Sequence, residues 1–307
     1  MEFFKAGTRI DFVGKRRQCL LLSGGAILLS LLYLLLGPGL NYGIDFRGGT
    51  LVQVRFERPV PIETIREVLG ALRLGDTSVQ YFGDEREVLI RVEKVTGALE
   101  GAEVPIQNAL TKELGGGRAF EVRRTEAVGP QVGAELRRKA YLSLIYALGG
   151  ILLYIAWRFE LRFAVGAVLA LIHDVTITLG VISLTGKEFT LPIVAAVLAI
   201  IGYSLNDTIV VFDRIRENLR GMRRVTMEQI INTSINQTLS RTILTAGTTL
   251  LAVGAFFVLG SEIIRDFAFA LLIGIVVGTY SSIYIASPIL LAWPTLRPAP
   301  PRRPGRG

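Results

Sequence analysis

Six long apolar stretches decide what this chain of 307 residues can fold into. A run of about 18 or more apolar residues is long enough to cross the hydrocarbon core of a bilayer as a helix. In lipid such a segment must be helical, because every backbone amide needs a hydrogen-bond partner inside the segment. We therefore predict a mainly α-helical polytopic membrane protein with six transmembrane helices. The predicted spans are Cys19–Leu36, Ala140–Trp157, Phe163–Thr185, Thr190–Phe212, Thr242–Gly260 and Phe267–Trp293.

Basic residues lie mostly on one side of these predicted spans. The chain has a formal net charge of +8, and short cytoplasmic loops of membrane proteins are rich in Lys and Arg. This bias predicts that both termini are cytoplasmic. No basic patch with interleaved aromatic residues is present, so we expect no nucleic-acid partner. Arg137, Arg138 and Lys139 depart from the bias, but they follow a long translocated segment, where the rule weakens. The residues on the cytoplasmic side would be Lys15, Arg16, Arg17, Arg158, Arg162, Arg214, Arg216, Arg220, Arg223, Arg224, Arg297, Arg302, Arg303 and Arg306.

Residues 41–135, between the first and second predicted spans, are not membrane-like. Their hydrophobic periodicities predict strands and helices in the order βαββαβ, which is the ferredoxin-like, split-βαβ order. We therefore expect a small α+β domain on the extracytoplasmic side. It separates an N-terminal segment with the first span, residues 1–40, from a five-helix membrane bundle, residues 136–295, and a basic cytoplasmic tail, residues 296–307. The predicted strands are Thr50–Phe56, Thr77–Phe82, Val88–Val95 and Arg118–Arg124, and the predicted helices are Pro61–Leu72 and Glu100–Leu114.

The fourth predicted span contains an ionisable residue, Asp207, in an otherwise apolar segment. A charged side chain at the centre of a bilayer costs about 2.5–3.5 kcal/mol on insertion scales, so a chain that keeps one generally uses it. Asp207 is therefore predicted to be a proton or ion site, or the partner of another charge. Arg241 lies at a similar depth at the start of the fifth span, and Asn206 adds neighbouring polar atoms. A movable Arg241 would switch Asp207 between proton-binding and proton-releasing states. The alternative is a static ion pair that holds two helices together.

His173 and Asp174 lie near the midpoint of the third span, deeper than Asp207, and His173 is the single histidine of the chain. A histidine beside a carboxylate can relay protons near neutral pH. Adjacent residues point about 100° apart on a helix, however, so the two need not face one cavity. A hydrogen-bonded packing site is the alternative, and depth alone does not rank Asp174 below Asp207. Asp213 and Arg214 close the fourth span, and we favour a solvated face at the membrane interface for them.

Several catalytic motifs are absent from the sequence. It has no GxxxxGK phosphate loop, and it has no GxSxG, no HExxH and no credible Ser/His/Asp set. The single cysteine, Cys19, lies in a predicted span, so no disulfide can form within one chain. We expect no enzyme active site, no cofactor and no metal site. Energy for any work would have to come from an ion gradient or from a partner.

Four motifs in order give the chain a close resemblance to a known family. Gly43-Ile-Asp-Phe-Arg-Gly-Gly49 follows the first span, and the others are His173-Asp174, the segment Gly202–Asn218 and the segment Arg241–Leu250. Together they resemble the SecF family, the smaller half of the SecD–SecF protein-export complex, over nearly the whole chain. The resemblance implies a fold of the resistance-nodulation-division type in a bacterial cytoplasmic (inner) membrane, with six helices paired against the six of SecD.

The same resemblance implies partners and a mechanism. The partners would be SecD, the SecYEG channel, YajC-like accessory subunits, the translocating preprotein, protons and the lipid bilayer. Extracytoplasmic domains would capture and pull the preprotein in a proton-driven cycle, with Asp207 as the proton-coupling aspartate and Arg241 as the arginine that works with it. The motif after the first span would transmit helix motion to the α+β domain, although a tight structural turn explains it equally well. Its residues are Gly43, Asp45, Phe46, Gly48 and Gly49.

Two other functions are open at the level of sequence. One is a proton-driven transporter subunit of the resistance-nodulation-division type for small molecules or lipids, and the other is a non-transporting scaffold of a membrane complex. The α+β domain is one small module without large porter insertions, which argues against the transporter. A proton-coupled pump should lose function in Asp207→Asn with its assembly intact, whereas a scaffold should tolerate the change or fall apart.

Overall fold

The helices and strands of the chain are seen in a computed structural model. Among the residues that it describes, six helices are long and apolar enough to cross a membrane, which confirms the predicted fold class. The described residues are 10–72, 77–82, 84–92, 103–114, 120–222 and 225–292. The helices are α1 (Arg16–Leu36), α2 (Ile44–Arg47), α3 (Ile62–Gly70), α4 (Glu103–Leu114), α5 (Pro130–Arg158), α6 (Leu161–Leu184), α7 (Leu191–Gly221), α8 (Met227–Leu259), α9 (Glu262–Ser281) and α10 (Ser287–Ile289). The strands are β1 (Asn41–Tyr42), β2 (Gly49–Phe56), β3 (Thr77–Phe82), β4 (Asp84–Val92), β5 (Phe120–Val128) and β6 (Glu188–Phe189).

The last span is not one regular α-helix. After α9 the chain forms a π-helical segment, Ser282–Ala286, and it ends with α10 and a 3₁₀ turn, Leu290–Ala292. π-Helical turns are rare and occur frequently at functional sites. This one lies inside the apolar run that predicts the sixth span.

Three spanning helices, α5, α7 and α8, extend well beyond the apolar runs that predict them. α5 begins at Pro130. Proline is favoured at the first helical position because the N–H of that position has no partner within the helix, so nothing is lost when proline lacks it. α7 continues past the apolar run to Gly221. α8 begins at a capping box in which Thr226 and Gln229 satisfy each other's backbone N–H groups. Polar helical ends therefore extend beyond the apolar part of the bundle.

The α+β domain has the predicted ferredoxin-like order. Its sheet is antiparallel throughout, with strand order β3-β4-β2-β5, so that β4 separates β2 from β3. α3 and α4 cover one face of the sheet. Their Ile65, Leu69 and Ile106 pack against Val52 and Ile90 in a fully buried apolar core. The hairpin between β3 and β4 is tight, since Phe82 pairs with Asp84, and β4 therefore begins before the predicted start at Val88. Residues 93–95, 100–102 and 118–119 of the predicted elements lie outside the described ones.

The membrane bundle has a buried centre and an exposed periphery. In α6, in α7 and in the last span, 50% of the most apolar stretch of the helix is buried, whereas in α1 the buried share is 6%. Phe163, Ile193, Phe212 and Ala286 belong to the central core. The outward sides of α1, α5 and α8 expose large apolar residues such as Leu21 and Leu251. The helices that carry His173, Asp174 and Asp207, which are α6 and α7, therefore lie at the centre.

Candidate functional site

Asp207 joins three helices at one carboxylate. It lies on α7, and its Oδ1 accepts a hydrogen bond from Oγ1 of Thr242 on α8 at 2.6 Å. Its Oδ2 accepts a hydrogen bond from Oγ of Ser282, the first residue of the π-helical segment. The side chain is half-buried. A change in the charge of this carboxyl would alter hydrogen bonds that join α7 to α8 and to the π-helical segment.

Arg241 does not contact Asp207 directly. It is exposed, one residue before Thr242 on α8, and among the described residues no ion pair joins it to Asp207. Its guanidinium does act on Asp207 electrostatically. The static ion pair considered from the sequence is therefore not formed in this structure, and a movable Arg241 stays a prediction.

Asp174 on α6 is a second carboxylate inside the bundle, and it is fully buried. Its Oδ2 accepts hydrogen bonds from Ser204 Oγ on α7 at 2.5 Å and from Ser281 Oγ on α9 at 2.8 Å. Its Oδ1 lies 2.8 Å from Nδ1 of His173. Although they are adjacent on one helix, the two side chains hydrogen-bond to each other, and the His173 ring stacks on Tyr280 with ring centroids 6.1 Å apart.

The two carboxylates are linked through consecutive serines that the sequence analysis missed. Ser281 donates to Asp174 and Ser282 donates to Asp207. Serine is common in membrane helices, so neither residue carries a signal that sets it apart from a packing residue. Gly278 lets this part of α9 approach α7, because a Cβ there would lie 3.0 Å from Cβ of Ser204. The site is therefore a polar network of two hydrogen-bonded carboxylate clusters inside the bundle, which meet at the neighbouring residues Ser281 and Ser282.

The other predicted residues of the fourth span lie outside this network. Asn206 is exposed. Arg214 pairs with Glu217 at 2.8 Å, and Asp213 lies 3.8 Å from Arg216. Both pairs join residues three apart on the surface of α7, as expected for a solvated helix end. None of them is brought to Asp207.

The glycine motif after the first span packs against the start of α5. Gly48 and Gly49 have φ angles of +76° and +115°, a region that favours glycine. A Cβ on Gly48 would lie 2.8 Å from Cα of Pro130, and a Cβ on Gly133 would lie 2.9 Å from N of Gly48. The backbone at Gly48 and the backbone of the first turn of α5 thus lie closer together than they could if Gly48 or Gly133 carried a side chain.

The same motif is hydrogen-bonded to the start of α7. Asp45 Oδ2 accepts a hydrogen bond from the backbone N–H of Leu191, the first residue of α7, at 2.9 Å. The N–H of Gly43 donates to O of Phe189 at 2.9 Å, and the Phe46 ring stacks on the Phe189 ring. The motif therefore holds the N-terminal end of the helix that carries Asp207, about 24 Å away at 1.5 Å per residue.

The α+β domain is attached to the segment before α7 by further contacts. β1 pairs in parallel with β6. Arg91 of β4 forms an ion pair with Glu188 of β6, which also accepts a hydrogen bond from Gln80 Nε2 at 3.1 Å. The hydroxyls of Tyr42 and Tyr141 lie 2.6 Å apart. Burial, together with this hydrogen bond, raises the pKa of Tyr42 to about 12, so its hydroxyl stays neutral.

Comparisons with known proteins agree with this architecture. The family model of the protein export membrane protein SecD/SecF, C-terminal, matches residues 107–295, and the SecD/SecF GG motif matches residues 33–60. The protein translocase subunit SecF of Calditerrivibrio nitroreducens is 50% identical over 97% of this chain and 98% of its own. SecF of Magnetococcus marinus is 51% identical over 95% of this chain and 94% of its own.

A solved structure is similar over the same extent. The crystal structure of SecDF, a translocon-associated membrane protein from Thermus thermophilus, superposes with a TM-score of 0.84 at 40% identity. It covers 95% of this chain, which in turn spans 39% of that longer chain. The fold and the matches define a multi-pass membrane protein with an accessory role in Sec protein export. The chain belongs to the SecF family.

Proposed function

We propose that this chain, paired with SecD in a bacterial inner membrane, uses the proton motive force to drive late steps of preprotein translocation through SecYEG. Both termini would be cytoplasmic and the α+β domain extracytoplasmic. The observation that carries the proposal is the carboxylate of Asp207, half-buried where α7, α8 and the π-helical segment meet. A carboxylate placed there can change its charge during a cycle and alter its contacts with three helices at once.

The energy of one proton suffices for such a step. One elementary charge that crosses 100 mV releases about 2.3 kcal/mol, which biases a two-state equilibrium about 50-fold. When ionised, Asp207 accepts two hydroxyl hydrogen bonds, and when protonated it must donate one. Arg241, exposed one residue away from the Thr242 contact, is positioned to favour the ionised form when it approaches.

A movement of α7 would reach the α+β domain through the glycine motif. Asp45 holds the first turn of α7, and Gly48 lies against Pro130 at the start of α5. β2 begins at Gly49, the last residue of the motif. The motif residues Gly43, Asp45 and Phe46 would therefore transmit a helix displacement to the sheet, which supports the role that the resemblance implies.

An exposed polar face supports SecD as the covering partner. Asn206 and Arg241, together with Thr245 and Thr248 further along α8, are exposed within spanning helices. Polar and charged groups at membrane depth generally face a protein interior or a wet cavity. SecD would bury this face, while YajC-like subunits and the preprotein would bind elsewhere in the assembly.

The test is the change Asp207→Asn, measured as preprotein translocation into membrane vesicles with and without an imposed proton gradient. Asparagine keeps the size and the acceptor oxygen but cannot exchange a proton, so the gradient-dependent part of translocation should be lost while SecD still co-purifies. Asp213→Asn is the control, because Asp213 is also on α7 but exposed and outside the network. Unchanged translocation in Asp207→Asn would refute the coupling role, and loss of SecD co-purification would favour a scaffold.

A further inference from the structure

Ser281 and Ser282 can each donate to two different acceptors. Ser282 Oγ reaches Asp207 Oδ2, and it also reaches its own helix at O of Thr279, 3.0 Å away. Ser281 Oγ reaches Asp174 Oδ2 at 2.8 Å and O of Gly278 at 3.1 Å. A serine hydroxyl has one proton to donate and two lone pairs that accept. Each serine can therefore donate its proton either to a carboxylate or to a backbone carbonyl, but not to both at once.

The other hydroxyls at the two carboxylates lack this choice. Within the part of the chain that the structure describes, Thr242 Oγ1 donates to Asp207 and Ser204 Oγ donates to Asp174 without a second acceptor. Each carboxylate thus has one fixed hydroxyl donor and one hydroxyl donor that can turn away. The same construction occurs twice, at consecutive positions of one helix.

The backbone around Ser282 allows its hydroxyl to turn without a shift of the helix. The π-helical segment begins at Ser282, and Oγ of Ser287 donates to O of Ser282 at 2.8 Å. That bond supplies a partner to a carbonyl in the irregular turn. Because Oγ of Ser282 already lies within hydrogen-bond distance of both acceptors, only its hydroxyl hydrogen has to turn about the Cβ–Oγ bond when it exchanges one acceptor for the other.

Protonation of Asp207 requires such an exchange. An ionised carboxylate only accepts, whereas a carboxylic acid has an O–H that needs an acceptor. If Ser282 turns its proton to O of Thr279, its oxygen can accept from the protonated Asp207. No buried polar group then loses its partner in either state, which matters because an unsatisfied buried group is costly.

We propose that Ser282 is a positioning residue for proton exchange at Asp207, and that Ser281 has the same role for Asp174. This rests on the proposed function only in taking Asp207 as the carboxyl that exchanges the proton. Among the residues that the structure describes, the charged and titratable groups that interact electrostatically with Asp207 are Arg241 of α8 and Tyr203 of α7. Those at Asp174 are His173 and, stacked on it, Tyr280.

The test measures protonation of Asp207 in the intact SecD–SecF complex. A hydrophobic carbodiimide reacts with protonated carboxyls, and mass spectrometry of the peptide that contains Asp207 gives its labelling across a pH series. In Ser282→Ala the pH of half-maximal labelling should rise, to a proton concentration about tenfold lower, because the hydrogen bond lost from the ionised carboxylate is stronger than the one lost from the neutral acid. Ser282→Thr keeps a hydroxyl and should restore the parent profile. Ser281→Ala is the matched control and should leave the Asp207 profile unchanged.

An unchanged profile in Ser282→Ala, or an equal shift in Ser281→Ala, would overturn the inference. If Ser282→Ala does not assemble, Ser282→Cys keeps the size with a weaker donor, and it should move the profile in the same direction by less; no movement would again overturn it. The proposed function is judged separately by translocation in Asp207→Asn. If that variant loses gradient-dependent translocation while Ser282→Ala labels like the parent, this inference alone has failed.

Discussion

Gly48 stands at a position that requires glycine. Its φ of +76° is a conformation that other residues adopt with strain, and the space where a Cβ would stand is occupied by backbone atoms of Pro130. A flexible side chain could move aside, but the first turn of α5 cannot do so cheaply. The glycine is therefore required by two independent features of one position.

Gly48→Ala should lower the stability of the purified SecD–SecF complex by about 1–3 kcal/mol, the usual range for a residue held in an unfavourable backbone region. The measurement is the unfolding transition of the complex in detergent. Gly70→Ala is the control, because Gly70 is helical and a Cβ there meets nothing within 4 Å. Equal transitions for the two variants would show that the approach of Gly48 to Pro130 is not needed.

The N-terminal end of α7 is held by a side chain from a distant part of the chain. Thr190 occupies the N-cap position, yet its side chain makes no capping hydrogen bond. Asp45 of α2 accepts from Leu191 N–H instead. A carboxylate at a helix N-terminus also interacts favourably with the helix dipole. The element that carries Asp207 is thus tied at its first turn to the glycine motif.

Asp45→Ala should cost about 0.5–2 kcal/mol, the range for loss of a helix cap. Hydrogen exchange of the backbone amides in the first turn of α7 should become faster, while exchange near Asp207 in the middle of the helix should change little. Asp45→Asn keeps an acceptor and should have a smaller effect. Thr190→Ala should have almost none, and if it had the larger effect, Asp45 would not be the cap.

Elements were predictable from the sequence because their signals are local. Hydrophobic periodicity places the strand Thr77–Phe82, and the length of the apolar runs places all six spans. The ends of the helices were less predictable, since α7 continues to Gly221 through polar residues that no longer carry an apolar signal. Contacts between distant segments, such as Asp45 with Leu191 and Ser282 with Asp207, depend on packing that no local pattern encodes.

At the scale of the whole molecule, the α+β domain is fastened to the bundle by a buried ion pair. The side chains of Arg91 and Glu188 are 6% and 14% exposed. Glu188 lies in β6, in the segment that leads into α7. Lys187, the neighbouring residue, pairs with Asp266 of α9 at 2.5 Å, but those side chains are 30% and 26% exposed. The chain therefore contains a buried pair and a partly exposed pair side by side.

Arg91→Met should destabilise the complex by about 3–5 kcal/mol, because it leaves Glu188 charged and buried without its partner. The double variant Arg91→Met, Glu188→Leu should recover most of that loss, since no unpaired charge is left. Lys187→Met is the matched control and should cost about 1 kcal/mol or less, as partly exposed pairs do. Unfolding transitions of the four complexes, with limited proteolysis of the α+β domain, measure this. If the double variant were as unstable as Arg91→Met, lost packing rather than unpaired charge would explain the effect, and the domain would not be held by this ion pair.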